Sequence, residues 1–145
     1  MSQPQWANSP IGEEGEAPPA VLVVEDDALT QLAISEHLKD CGFQVYGAAT
    51  AVEAIDILQS AGTRIDLVFS DICLRGDMDG THLARWVNDN RAGLPVILTS
   101  GDAALFEAAG ELCHTQNMPF FAKPYDVICV AAEIGKIVER SPPHR

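Results

Sequence analysis

The chain has 145 residues, 47% of them hydrophobic and only 6% aromatic, with a formal net charge of −12. That length and apolar content suit one compact domain cored with Val, Ile, Leu and Ala, and argue against a disordered polymer. The acidic balance repels nucleic-acid phosphates, no apolar run is long enough to span a membrane, and no basic-then-apolar leader opens the chain. Direct nucleic-acid and membrane partners are therefore not expected, and the cytoplasm is the expected compartment.

The cysteines Cys41, Cys73, Cys113 and Cys129 fit neither a C-x-x-C pair nor a zinc spacing. Reduced thiols are expected, three of them filling the core.

Residues 1–19 are rich in Pro, Gly, Glu and Ser and lack an apolar period, which predicts a flexible tail. Residues 141–145, with two prolines, predict a loose end, leaving 20–140 as the folded domain. Val21-Leu22-Val23-Val24 is a β-branched run, as in a strand buried on both faces. Leu29, Leu32, Ala33, Leu38 and Cys41 recur at helical spacing, and Gly42 ends that helix. Residues 43–46 read as a second strand. Thr50, with Glu53 three residues on, is a capping-box signature for a helix reaching about Ser60. Asp66 leads into a third strand, Leu67-Val68-Phe69. A glycine-containing loop follows, then a helix from about Thr81 to Asn88 with Leu83, Trp86 and Val87 inward. Pro95 opens the strand Val96-Ile97-Leu98-Thr99. An Ala-rich helix is expected from Asp102 to about Leu112, then a short strand Pro119-Phe120-Phe121. Asp126 caps a last helix carrying Val127, Val130, Ile134 and Ile137.

Strand–helix alternation predicts an α/β domain built on a doubly wound five-stranded parallel sheet, with helices on both faces and right-handed crossovers. Ligands of such sheets bind beyond the carboxyl ends of the strands. The residues there are selective: Glu25, Asp26 and Asp27 after the first strand, Ser70 and Asp71 after the third, Thr99, Ser100 and Gly101 after the fourth, Lys123 and Pro124 after the fifth. With strand order 2-1-3-4-5 the first and third strands are neighbours, and Glu25, Asp26 and Asp71 converge.

Two unit charges about 4 Å apart repel by roughly 4 kcal/mol at a surface-like dielectric. Carboxylates so crowded are either protonated or share a cation. Hard oxygen ligands at a shallow site suit Mg²⁺. Lys123 adds a fixed positive charge and Ser100 a hydroxyl donor, and the whole set describes a phosphoryl-binding site with a carboxylate nucleophile. Taken singly, each residue has a bland reading: Asp27 as a helix cap, Asp71 and Ser100 as turn residues, Lys123-Pro124 as a surface turn. The joint arrangement carries the weight.

With these residues in place, the chain resembles the receiver domains of bacterial two-component response regulators, of the single-domain, stand-alone kind, over about residues 21–138. The motifs are Val21-Leu22-Val23-Val24-Glu25-Asp26-Asp27, Asp66-Leu67-Val68-Phe69-Ser70-Asp71, Met78-Asp79-Gly80, Leu94-Pro95-Val96-Ile97-Leu98-Thr99-Ser100-Gly101 and Lys123-Pro124. The resemblance implies a flavodoxin-like fold and a Mg²⁺-dependent phosphorylation of Asp71 by a sensor histidine kinase. It implies Asp26 and Asp71 as direct metal ligands, Glu25 as a ligand through water, and the backbone carbonyl of Cys73 as a further ligand. Ser100 and Phe120 would be switch residues, Lys123 would pair with the phosphoryl group, and the peptide before Pro124 would be cis. Cys73 and Asp102 hold positions that tune dephosphorylation in the family, although a helix cap is the preferred role for Asp102.

The sequence departs from the family at Phe120, which lacks the commoner tyrosine hydroxyl, and in the loop 73–80, which is one residue longer than the commonest form. The output is expected from the face of the fourth helix, fifth strand and last helix, read by a downstream protein target. A relay carrier handing the phosphoryl group to a histidine phosphotransfer protein is the alternative, and homodimerisation on phosphorylation is left open. A dehalogenase-type phosphatase is disfavoured because Cys73 stands where its second aspartate would be, so no turnover enzyme is expected. A binding module that has lost phosphorylation is disfavoured by the complete acidic set.

Overall fold

The computed structural model describes residues 17–102 and 118–140. Most of the expected N-terminal tail, the expected C-terminal tail, the Ala-rich helix beyond Asp102, and Cys113 lie outside the described residues.

The described elements are β1 (Ala20–Val24), α1 (Ala28–Asp40), β2 (Gln44–Ala48), α2 (Ala51–Gln59), β3 (Leu67–Asp71), α3 (Gly80–Asn90), β4 (Val96–Ser100), β5 (Phe120–Ala122) and α4 (Val127–Arg140). The strands form one sheet in the order β2-β1-β3-β4-β5, every pairing parallel. This is the flavodoxin-like α/β architecture. Every residue of β1, β3 and β4 is buried, which is why these strands read as unbroken apolar runs rather than alternating ones. Successive side chains still part to opposite faces. Leu22, Val24, Val68 and Leu98 pack with Ala54 and Leu58 of α2 and Leu83 and Val87 of α3. Val21, Val23, Leu67, Phe69 and Ile97 pack with Ile34 and Leu38 of α1 and Val130 and Ile134 of α4.

The helices start where side chains satisfy their free N–H groups. The Asp27 carboxylate accepts from the Thr30 amide at 3.2 Å. Thr50 Oγ1 accepts from Glu53 N at 3.1 Å, while the Glu53 carboxylate accepts from Ala49 N at 2.8 Å, one residue before the capping-box position. Asp79 Oδ1 accepts from Thr81 N at 2.8 Å and His82 N at 3.0 Å. Asp126 Oδ1 accepts from Ile128 N at 2.8 Å. Gly42, at φ 100°, supplies the left-handed residue after the C-cap of α1.

Three expectations are corrected. The inward stripe of α1 is Ile34, Ser35 and Leu38, while Leu29 and Leu32 are 76% and 55% exposed. Leu32 stands two positions before Ile34, about 200° around a helix of 3.6 residues per turn, so one face cannot bury both. The described cysteines do not fill the core: Cys41 is half-buried at the end of α1, and Cys73 and Cys129 are exposed free thiols. Trp86 is only partly buried at the edge of the α2–α3 cluster. The strand limits also shift, β2 running to Ala48 and β5 to Ala122.

Candidate functional site

The carboxyl ends of β1, β3, β4 and β5 deliver the polar residues of the site. Glu25 is the first residue after β1, and its amide donates to Ala48 O at 2.9 Å, tying it to the end of β2. Gln31 of α1 reinforces that junction: its Nε2 donates to Ala48 O at 3.0 Å and Glu25 O at 3.3 Å. Gly47 leaves room for this amide, since a Cβ there would lie 3.2 Å from it. Asp71 closes β3, and the next amide, of Ile72, donates to Thr99 O of β4 at 2.9 Å.

Gly80 sets the depth of the following loop. Its amide donates to Ile72 O at 2.8 Å, and a Cβ on it would stand 2.2 Å from the Asp71 carbonyl oxygen. Only glycine admits that approach, so the Asp79-Gly80 pair presses the start of α3 against the backbone of Asp71.

Lys123 lies at the centre of the site. Its Nζ is 2.7 Å from Glu25 Oε1 and 2.8 Å from Asp71 Oδ2. Its amide donates to Ser100 O at 2.9 Å, which anchors the residue at the end of β4. The Lys123–Pro124 peptide is cis. Asp71 Oδ1 accepts from Cys73 N at 3.2 Å. Ligand oxygens of Glu25, Asp26 and Asp71 all lie within 4.8 Å of one another. Asp26 Oδ2 is 3.6 Å from Arg75 Nε, in the loop after β3.

The electrostatics follow from this crowding. Burial pushes the Glu25 carboxyl above its ordinary range, opposed by the Lys123 hydrogen bond and reinforced by the charge on Asp71. Burial alone would lower the Lys123 ammonium, but its two carboxylate partners outweigh that and hold it well above its usual value. Burial raises the Cys73 thiol, and the carboxylates of Asp71, Asp102 and Asp26 raise it further. Cys73 is thus kept as a thiol, the less reactive form. Burial likewise raises Tyr125, whose ring meets Phe69 edge-on at 5.5 Å.

Ser100 is buried beside this group, its Oγ accepting from Asp102 N at 3.1 Å. Phe120 sits one strand further out, opposite Leu98 in register and partly buried against the α2–α3 side of the core. Of the residues singled out in the sequence, Glu25, Asp26, Asp71 and Lys123 come together directly. Ser100 adjoins them, and Cys73 and Asp102 stand on the exposed rim. Sequence reasoning missed Arg75, Gln31 and Tyr125. A polar residue at an inward helical position was the available signal for Gln31.

A family model of the response regulator receiver domain matches residues 21–134. The chain belongs to the response regulator receiver family. Receivers serve two-component signalling, and accepting a phosphoryl group is general to them. The chain is 29% identical over 126 residues to the sensor kinase CckA of Brucella abortus, covering 83% of this chain and 12% of that protein. It is 27% identical over 124 residues to the cell cycle transcriptional regulator CtrA of Caulobacter vibrioides, covering 86% of this chain and 52% of CtrA. The receiver therefore spans between about an eighth and about half the length of these two relatives. Among solved structures, a response regulator receiver protein from Pseudomonas putida superposes with a TM-score of 0.74 at 32% identity, covering 83% of this chain and 98% of that one. One from Sinorhizobium medicae does so with a TM-score of 0.74 at 25% identity, covering 85% and 96%. Among the described residues of this receiver, no helix is long and apolar enough to cross a membrane.

Proposed function

We propose that this receiver accepts a phosphoryl group on Asp71 from the phosphohistidine of a sensor kinase in the cytoplasm, and uses it to switch a protein–protein contact. The observation that carries the reading is the double contact of Lys123 Nζ, 2.7 Å from Glu25 and 2.8 Å from Asp71, beside a carboxylate trio within 4.8 Å. An Asp71 oxygen attacks phosphorus in line as the bond to the donor nitrogen breaks, and the donor histidine leaves neutral after taking up a proton. Lys123 then pairs with a phosphoryl oxygen in place of the free Asp71 carboxylate, and the Cys73 amide holds the other Asp71 oxygen.

The donor set fits Mg²⁺: three carboxylates face two basic side chains, Lys123 and Arg75, leaving a net negative pocket of hard oxygens. Asp26 and Asp71 would hold the ion directly, Glu25 through water, with the carbonyl of Cys73 as a further ligand. The ion, when bound, would supply positive charge against the incoming phosphoryl oxygens.

Ser100 Oγ, which now accepts from Asp102 N, is the hydroxyl positioned to turn toward the new phosphoryl oxygens. Phe120, one strand out, answers by packing alone, having no hydroxyl. Cys73 on the rim is the side chain placed to tune the access of water and so the lifetime of the acyl phosphate, with Asp102 as the alternative to its preferred role as a helix cap. The kinase is expected to dock where Leu29 and Leu32 stay exposed, in the first turns of α1 next to Asp26.

The test is labelling with acetyl phosphate. The wild type is expected to gain one phosphoryl group with MgCl2 and none with EDTA, and Asp71→Asn to gain none under either condition. Equal labelling of Asp71→Asn would overturn the reading.

A further inference from the structure

Lys123 contacts Glu25 and Asp71 but leaves Asp26 to another cation. That cation is Arg75, whose Nε stands 3.6 Å from Asp26 Oδ2. The pairing crosses from the loop after β3 to the end of β1, where a parallel bridge between Arg75 and Thr50, the N-cap residue of α2, holds the Arg75 backbone. Gly76 follows at φ 99°, a left-handed residue whose added Cβ would meet nothing within 4 Å. The Arg75 side chain is 82% exposed and the Asp26 side chain 23% exposed, so water reaches the pair and no packing locks the guanidinium in place.

We propose that Arg75 holds Asp26 in the ion-free protein and competes with the divalent cation for it. The inference rests on the reading that Asp26 is a metal ligand. Asp26 cannot give the same lone pairs to a guanidinium and to a small hard cation. A bound divalent ion also repels a guanidinium at this range. Ion entry therefore frees Arg75 to solvent, and the loop arginine sets how much Mg²⁺ is needed to prepare the phosphoacceptor. A side chain this exposed is displaced readily, which makes it a tuning element rather than a plug.

The test is calorimetric titration of the whole chain with MgCl2. Arg75→Ala is expected to bind roughly two- to five-fold more tightly than wild type, the range of an exposed ion pair. Arg75→Lys, which keeps the charge, should stay near wild type. Arg85→Ala removes the same charge from the exposed side of α3 and should leave the affinity unchanged, separating local pairing from net charge. In the wild type, the Arg75 Nε–H resonance should move with the same midpoint as the heat. Unchanged or weaker binding by Arg75→Ala, or an equal gain from Arg85→Ala, would overturn the proposal while leaving the metal site intact. Absence of Mg²⁺ binding by every form, wild type included, would instead overturn the metal reading on which it rests.

Discussion

Lys123 Nζ donates to Asp71 Oδ2 at 2.8 Å while its reach to Glu25 is 2.7 Å, so one ammonium is shared by two buried carboxylates. Lys123→Met would leave both carboxylates buried without that partner, a loss of about 1–3 kcal/mol. Urea unfolding at pH 7 without divalent ions should show it. The Lys123 ammonium is held above its ordinary 10.5, so its stabilisation is fully present below that pH and is lost as pH rises through the folded value. The gap between wild type and Lys123→Met should therefore narrow in strongly alkaline solution. A gap that widened there would contradict the assignment.

Gly80 offers a second test. A Cβ 2.2 Å from the Asp71 carbonyl oxygen and 2.8 Å from Ile72 Cα meets backbone that cannot swing aside. Gly80→Ala is expected to cost about 3 kcal/mol or more, at the upper end for overpacking. Because the displaced backbone belongs to Asp71, acetyl phosphate labelling should fall as well. Full labelling with full stability would show that the loop has slack.

The cap of α3 predicts an acid-side effect. Burial would raise Asp79, but its hydrogen bonds from Thr81 and His82 outweigh that and hold it below its ordinary 3.8. Its charge therefore stabilises the fold above the ordinary value, and that contribution is lost as pH falls through the depressed one. Asp79→Ala should cost about 1 kcal/mol at pH 7. Asp79→Asn, which keeps an acceptor oxygen, should cost less. The difference between wild type and Asp79→Asn should shrink as pH falls below 3.8 and vanish once Asp79 is protonated in the folded state, on thermal unfolding across pH.

Ser100→Ala separates labelling from switching. The variant should still be labelled by acetyl phosphate with MgCl2. The amide shifts that labelling induces at Phe120 should shrink by more than half. Shifts equal to wild type would mean that the signal reaches β5 by another route.

Much of the fold and the heart of the site were legible because central parallel strands advertise themselves. Val21 to Val24, Leu67 to Phe69 and Val96 to Leu98 are apolar without alternation, so the polar residues that follow each run mark a strand end. Glu25, Asp71 and Ser100 were found that way, the last two one place beyond Ser70 and Thr99, and Lys123 by the same reading of the short edge strand β5. The edge strand β2, with exposed Gln44 and Gly47, gave a weaker signal and a shifted boundary. Leu29 and Leu32 fit a helical period yet face solvent, since periodicity reports an apolar side chain and not what covers it. Arg75 was invisible for another reason. Its contact with Asp26 depends on the bridge to Thr50, a loop conformation that no spacing rule encodes.

The most direct measurement is to locate the label chemically. Wild-type protein would be treated with acetyl phosphate and MgCl2, reduced with borohydride to convert the acyl phosphate into an alcohol, and sequenced by tandem mass spectrometry. Reduction is predicted at position 71 alone, and at no position when EDTA replaces the metal. A reduced side chain at Glu25 or Asp26 with Asp71 untouched, or the same modification in EDTA, would contradict Asp71 as the metal-dependent phosphoacceptor.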